Sequence, residues 1–384
     1  MRKGLLSLVL AFVACWYLVS PASSATAGGW TIMRSPHLAA PLSLLYDVSC
    51  TDPDWCMAVG YSEARTQGRW TYTILAETWD GTAWSVAPSP GLSDIGFKYL
   101  RSVSCLSRTW CMAVGRYQHA NSNLAELWNG SSWSQVRTPN VSYGNQLNSV
   151  SCVTTSFCMA AGDGNGTLVE TWSGSAWSVL PSPDAGKQPE NDQAVGVSCP
   201  SQRFCMLLDL FDDEAKQDMA TFDWDGTSWS ALPTPNPGPG TNALYRVDCT
   251  SAVSCTAAGT EVLGQTAVAL IEDWNGSSWS VAPTPAESSA DNLTDVSCIA
   301  TGWCAAVGDR VATAGPRTVR TLAEVSHGGT WMLSRTGSPS SSYSTFSGVS
   351  CGGSNTGGLY CVAVGYRSPG SGGLTPLIER YLAP

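Results

Sequence analysis

The sequence predicts an all-β fold, a seven-bladed β-propeller of four-stranded antiparallel blades, and three observations carry that prediction. Fourteen of the fifteen cysteines fall into seven evenly spaced pairs. Each pair opens one copy of a strand-rich repeat of roughly 50 residues, the period of a propeller blade. The segment starting at Trp30 has the pattern of a last strand, which the seventh copy lacks. A strand lent by the other end of the chain closes a ring and hides an edge, whereas a linear solenoid needs capping repeats.

The first 27 residues read as a targeting segment, outside the fold. Arg2 and Lys3 precede the apolar run "LLSLVLAFVACWYLVS", and Ala25 and Ala27 flank Thr26 as a signal-peptidase site requires. The expected division is a signal peptide over 1–27 and one propeller domain over 28–384. Cys15 leaves with the peptide; lipid attachment at Cys15 is the alternative, opposed by Phe12 and by the apolar residues that follow. No later stretch is long and apolar enough to span a bilayer. The expected location is therefore secreted, extracellular or in the cell envelope.

Export gives the cysteines their reading. In an oxidising compartment, evenly spaced pairs read as disulfides rather than zinc ligands, which favour C-x2-C. Six pairs are C-x5-C: Cys50 with Cys56, Cys105 with Cys111, Cys152 with Cys158, Cys199 with Cys205, Cys249 with Cys255, and Cys298 with Cys304. The seventh, Cys351 with Cys361, is C-x9-C. One local disulfide per blade is expected, with pairing across blades as the rival.

Each copy divides into strands a to d. In the second, a ends in "VSC", b is "CMAVG", c is "LAELW" and d is "SWSQV". Strands c and d are joined through Asn129-Gly130, with Asp80-Gly81, Asp225-Gly226 and Asn275-Gly276 at the same place elsewhere. Such pairs suit a two-residue hairpin turn, in which both central residues need φ > 0. A proline-rich exit follows strand d, where a missing N–H does no harm on an edge.

The segment "CMAVG…LAELWNGSSWSQVRTP" resembles a kelch repeat, as in the central domain of galactose oxidase: a strand ending in Gly, an aromatic in the next, then Trp and Pro. It also resembles repeats of uncharacterised secreted proteins from actinobacteria. The likeness spans nearly the whole mature chain, although one Gly stands where kelch repeats have two. It implies a seven-bladed propeller and no particular activity, since such folds host both enzymes and binding proteins.

Residues present in every blade read as scaffold. The tryptophan pairs, such as Trp79/Trp84 and Trp128/Trp133, are expected to pack the blades. Glu77, Glu126, Glu170, Glu272, Glu324 and Glu379 share one position in strand c, where blade four has Phe222. Six equivalent carboxylates read as a structural ring needing hydrogen-bond donors, and the Ser of "VSC" is the candidate donor.

Variation points to one face. In a meander the a–b and c–d turns share one end, and the b–c and d–a loops share the other. The first set is nearly constant; the second varies, as loops that carry function do. The residue after the strand-b Gly changes from blade to blade, giving Tyr61, Arg116, Asp163, Thr260, Asp309 and Tyr366. The b–c loops add Arg65 and Trp70, Tyr117 and His119, and Arg310. Arg beside an aromatic suits carboxylates or sugars, so the candidate ligand-binding set is Tyr61, Arg65, Trp70, Arg116, Tyr117, His119, Asp309, Arg310 and Tyr366. Blade four puts Asp209 where the Gly stands, followed by Asp212 and Asp213, a weak calcium candidate that matches no EF-hand spacing.

Charged residues make up 13% of the chain and the net charge is −10, a sign that repels phosphate backbones and argues against nucleic-acid partners. Three histidines and no uncommitted mature cysteine leave no catalytic triad, no metal cluster and no Cys–Tyr copper radical site, so no cofactor is expected. The leading expectation is a secreted, non-catalytic propeller that binds an extracellular glycan or protein through its variable face. The alternative is a glycosidase or lyase in which Asp163, Asp209 and Asp309 converge. A closed ring exposes no edge that demands a partner, so a monomer is expected.

Overall fold

A computed structural model describes residues 29–36, 40–66, 68–90, 96–118, 122–139, 141, 144–183, 192–212, 217–235, 237, 240–264, 266–285, 290–300, 303–311, 318–337, 343–353, 359–370 and 372–383. The expected signal peptide and Cys15 lie outside them. Every described element but a single helical turn residue, Gln118, is extended, turn or irregular. Five meanders of four antiparallel strands span residues 42–86, 98–136, 146–180, 193–232 and 242–281. A sixth covers 290–333. The seventh has three strands over 343–382 and takes its fourth from Trp30–Met33, which pairs antiparallel with Thr375–Leu382 in the register Trp30↔Tyr381 and Ile32↔Glu379. Strand a of each blade contacts strand a of the next, and blade seven returns to blade one. The ring is closed, with the first strand as its clasp.

Strand alternation explains how one sequence unit serves two interfaces. In strand b of blade one, Trp55–Thr66, Met57 and Val59 pack toward blade two, while Cys56 and Ala58 pack toward blade seven. The core is accordingly divided into seven apolar layers, one between each pair of neighbouring blades.

All seven disulfides join strands a and b of one blade, and none crosses between blades. The bonds are Cys50 to Cys56, Cys105 to Cys111, Cys152 to Cys158, Cys199 to Cys205, Cys249 to Cys255, Cys298 to Cys304, and Cys351 to Cys361. Six tie directly opposed residues of the ladder. In blade four, Cys199 and Cys205 meet where the ladder is interrupted between Ser198 and Ser201. The strand-b partner is buried every time, and each apolar layer holds one of them: Cys56, Cys111, Cys158, Cys205, Cys255, Cys304 and Cys361. These cysteines are part of the packed core, oxidised and away from solvent, and contribute no residue to a surface site.

Two local expectations change. Gly81, Gly130, Gly226 and Gly276 have φ between 93° and 99°, but the Asp or Asn before each does not adopt positive φ. Trp79 pairs with Trp84, so the connection is four residues long. Asp80 Oδ1 accepts the N–H groups of Thr82 and Ala83, both at 2.8 Å. The acid supplies an acceptor rather than a left-handed backbone.

The donors to the strand-c glutamates are also different. Ser89 Oγ donates to both oxygens of Glu126 at 2.8 Å, Ser35 Oγ donates to Glu77, and Gly337 N donates to Glu379 at 2.7 Å. Each donor lies in the exit from the preceding blade. Asn123 Nδ2, from strand c of blade two, serves Glu170 at 2.7 Å. The "VSC" serines instead accept the N–H of the strand-a cysteine in the next blade, from Cys105 on Ser49 round to Cys50 on Ser350. Asp248 holds the one non-serine place and accepts from Cys298 N at 2.7 Å. Seven such bonds form a belt around the channel.

Candidate functional site

In every blade strand a carries a β-bulge at the same place, ahead of its cysteine. The residues left without a partner at that bulge are Tyr46, Arg101, Asn148, Val195, Tyr245, Thr294 and Ser347. A bulge bends the strand and re-aims a side chain. Here all seven side chains line one cavity of about 460 Å³ at the mouth of the central channel. Strand a enters from the d–a loops and Tyr366 and Asp309 lie just before the b–c loops, so the cavity opens on the variable face.

In six blades the strand-b glycine lets strand a approach closely at the bulge. A Cβ at Gly60, Gly115, Gly162, Gly259, Gly308 or Gly365 would lie 1.9–2.1 Å from a carbonyl oxygen of strand a. The backbone approach therefore requires glycine. Blade four keeps the bulge at Val195 with Asp209 in the glycine's place.

The walls of the cavity differ. Blades seven, one and two supply aromatics: Tyr343 stacks on Tyr366 at 6.0 Å, and Tyr46 lies 5.9 Å from Tyr61 and 5.8 Å from Tyr99. Tyr61, Phe97, Tyr72 and Tyr99 continue this cluster behind the wall. Blades three to six supply mainly polar side chains, Gln146, Asn148, Gln193, Asn292 and Thr294, with Tyr245 among them. Asp309 accepts from Thr345 Oγ1 at 3.1 Å and Asn292 Nδ2 at 3.4 Å, and burial raises its carboxyl above the ordinary range.

Buried charges adjoin the cavity. The Arg246 guanidinium reaches across the channel to the carbonyls of Val195 at 2.6 Å and Asn148 at 3.2 Å, tying together the bulges of blades three and four. Asp47 and Asp295 sit within its field. Asp47 bridges to blade two through Val103 N at 2.9 Å, and Asp295 bridges to Val349 N at 2.6 Å. Burial pushes both carboxyls up, and for Asp295 the Asp47 charge adds to the rise. The Arg101 guanidinium lies 5.8 Å from the centre of the Tyr46 ring.

Of the residues expected at the mouth, Asp309 and Tyr366 line the cavity, and Tyr61 is buried behind Tyr46. Arg310 is committed to Asp291, through Nε and Nη2 at 2.8 Å each. Arg116 is half-buried beside Asp163, whose carboxyl is raised by burial. Tyr117 packs against the layer between blades one and two. Arg65 lies over the ring of Trp70 at 5.7 Å, and Trp70 is 49% exposed in the first b–c hairpin, away from the cavity lining. His119 and Asp213, and the side chain of Asp212, lie outside the described residues. Asp209 is fully buried and accepts from Thr167 Oγ1 at 2.8 Å. Among the described residues no three His, Cys, Asp or Glu side chains are grouped to hold a metal ion. Of the three acids expected to converge, Asp309 is the one that lines the cavity.

The bulge residues escaped the sequence reading, yet a signal was present. They occupy the variable place in "L-x-S-V-S-C" and its variants, one residue inside the otherwise constant end of strand a.

No protein-family model matches the chain, and no curated protein matches it. Solved structures do. YCF48 bound to D1 peptide is similar with a TM-score of 0.54 at 14% identity, covering 92% of this chain and 96% of that one. YCF48 from Cyanidioschyzon merolae is similar with a TM-score of 0.52 at 12% identity, covering 92% and 98%. The chain is a β-propeller. At these identities the likeness is one of fold.

Proposed function

We propose that this propeller is exported and non-catalytic, and that it binds a glycan in the central cavity of its variable face. The observation that carries the reading is the ring of seven bulges, whose residues, of six types, all line one concave site. A scaffold this regular, with its variation gathered at one point, is the arrangement expected of a binding site. Aromatic faces on one wall suit sugar rings, and amides on the other suit hydroxyl groups. Seven disulfides and the leader-like residues 1–27 support export. The kelch-like repeat supports the scaffold and leaves its use to the cavity. YCF48, which shares the fold, is described with a D1 peptide bound; a shared fold does not transfer that ligand.

Asp309 is the observation that favours the enzymatic alternative, because a buried carboxyl with a raised pKa can serve as an acid. Glycoside hydrolysis generally needs a second carboxylate about 5–9.5 Å away. Among the described residues the cavity lining offers none, which supports binding.

The test is a panel of envelope and plant polysaccharide fragments, with binding followed by calorimetry and fragment mass by spectrometry. The expected result is binding with unchanged masses, weakened about tenfold or more by Asn148→Ala and by Tyr245→Ala. Shortened fragments that persist in wild type and vanish in Asp309→Asn would make the protein an enzyme.

A further inference from the structure

We infer that the central cavity selects an acidic saccharide, one whose sugar ring carries a carboxylate, and that Arg101 is the residue that receives the charge. The inference rests on the glycan reading above and adds the chemistry of the ligand.

Three charged side chains line the cavity: Arg101, Arg246 and Asp309. Two of them are compensated. Arg246 has the carboxyls of Asp47 and Asp295 nearby and fills its hydrogen bonds with carbonyl oxygens. Asp309 is held by Thr345 and Asn292. Arg101 differs. Among the described residues no carboxylate pairs with it, and its Nε is buried without a hydrogen-bond partner. The electrostatic neighbours of its cation are Arg246, which repels it, and the phenols of Tyr99 and Tyr46. Arg101 is half-buried, and a partly desolvated cation without a counter-charge is unfavourable in the free protein.

The geometry explains how such a cation is held. Arg101 is the bulge residue of blade two, so its backbone is fixed by the close approach of Gly115 to the Tyr99 carbonyl. Its guanidinium lies over Tyr46, which orients the planar fork. A guanidinium so placed offers paired N–H donors, and a carboxylate is the anion that matches them in a plane. The adjoining aromatic wall then meets the face of a sugar ring, and the amide atoms of Gln146 and Asn148 that are not already bonded to Tyr99 and Ala194 meet its hydroxyls. A flexible peptide with a terminal carboxylate would use the arginine but would leave much of this polar wall unmatched.

The experiment compares trigalacturonate with its methyl ester, which is neutral but otherwise alike, on the intact disulfide-bonded protein. The expected result is that the acid binds at least tenfold more tightly than the ester. Arg101→Gln should remove that preference, bringing the acid down to the level of the ester, and Arg101→Lys should restore part of it. A melting curve for each variant separates lost charge from lost fold. Equal binding of acid and ester, unaltered in Arg101→Gln, overturns the acidic selection and leaves the glycan site standing. Binding of neither, together with capture of peptides through a free C-terminal carboxylate, overturns both readings.

Discussion

At the scale of single residues, the cavity depends on an atom that is missing. Gly115 lets the Tyr99 carbonyl approach to where a Cβ would stand, at 2.0 Å, and the displaced chain swings Arg101 into the channel. Gly115→Ala must push back a backbone rather than a flexible side chain. The expected cost is about 1–3 kcal/mol, the range of an overpacked core, read from urea titration. The same variant should weaken the acid preference carried by Arg101. An unchanged midpoint would show that strand a yields, as blade four yields around Asp209. This coupling explains why the repeated frame was legible and the site within it was not. The strand-b glycines stood out as the end of a motif, and the residues after them drew attention. The glycines act on the strand beside them, where the variable residue stands two places before the repeated "VSC".

At the scale of the blade, the disulfide and the turns do separate work. In blades one to five the c–d turn packs on the a–b turn: a Cβ at Gly81 would touch Asp54, at Gly130 Thr109, at Gly174 Ser156, at Gly226 Arg203, and at Gly276 Val253. The strand-c tryptophans reinforce that end, with Nε1 of Trp79, Trp128, Trp172 and Trp274 donating to a–b turn carbonyls at 3.1–3.2 Å. The disulfide closes only a short loop beside turns already held this way. Replacing Cys152 and Cys158 together by Ala should therefore cost about 2–2.5 kcal/mol, the chain-entropy value for so short a loop. The variant should stay folded, because the apolar layers on both sides of blade three remain. Loss of the folded signal at room temperature would show that the bond is needed to form the hairpin at all. Pairing within blades followed from spacing, because strands a and b must be neighbours in a meander. The glutamate donors did not follow from it. Ser35 serves Glu77 from 42 residues away and Ser89 serves Glu126 from 37, each across a blade boundary, so blade packing brings them together, and for Ser35 the closure of the ring.

At the scale of the whole molecule, the ring concentrates buried acids and so sets the pH at which it is most stable. Glu77, Glu126, Glu272, Glu324 and Glu379 are pushed up to about 7, and Glu170 to about 8, in every case chiefly by burial. Their ordinary value, near 4.5, applies to the unfolded chain. Below that value both states are protonated, and these groups do not alter the balance. As the pH rises from there, the unfolded chain releases its protons first and the folded ring retains them. Stability therefore falls through the interval from about 4.5 to about 7–8 and levels off above it. The turn acids act in the opposite sense but elsewhere: Asp80 and Asp225 are lowered to about 2 by the N–H and hydroxyl groups they accept, so their contribution fades only in strong acid. The melting temperature should accordingly be higher at about pH 5 than at about pH 8. Glu126→Gln supplies the control. It retains an oxygen for Ser89 and can no longer ionise, so it should narrow the gap between the two pH values, mainly by raising the melting temperature at the higher one. A profile that rises from pH 5 to pH 8, or a variant with the full wild-type gap, would mean that these carboxylates are ionised and paired within the ring.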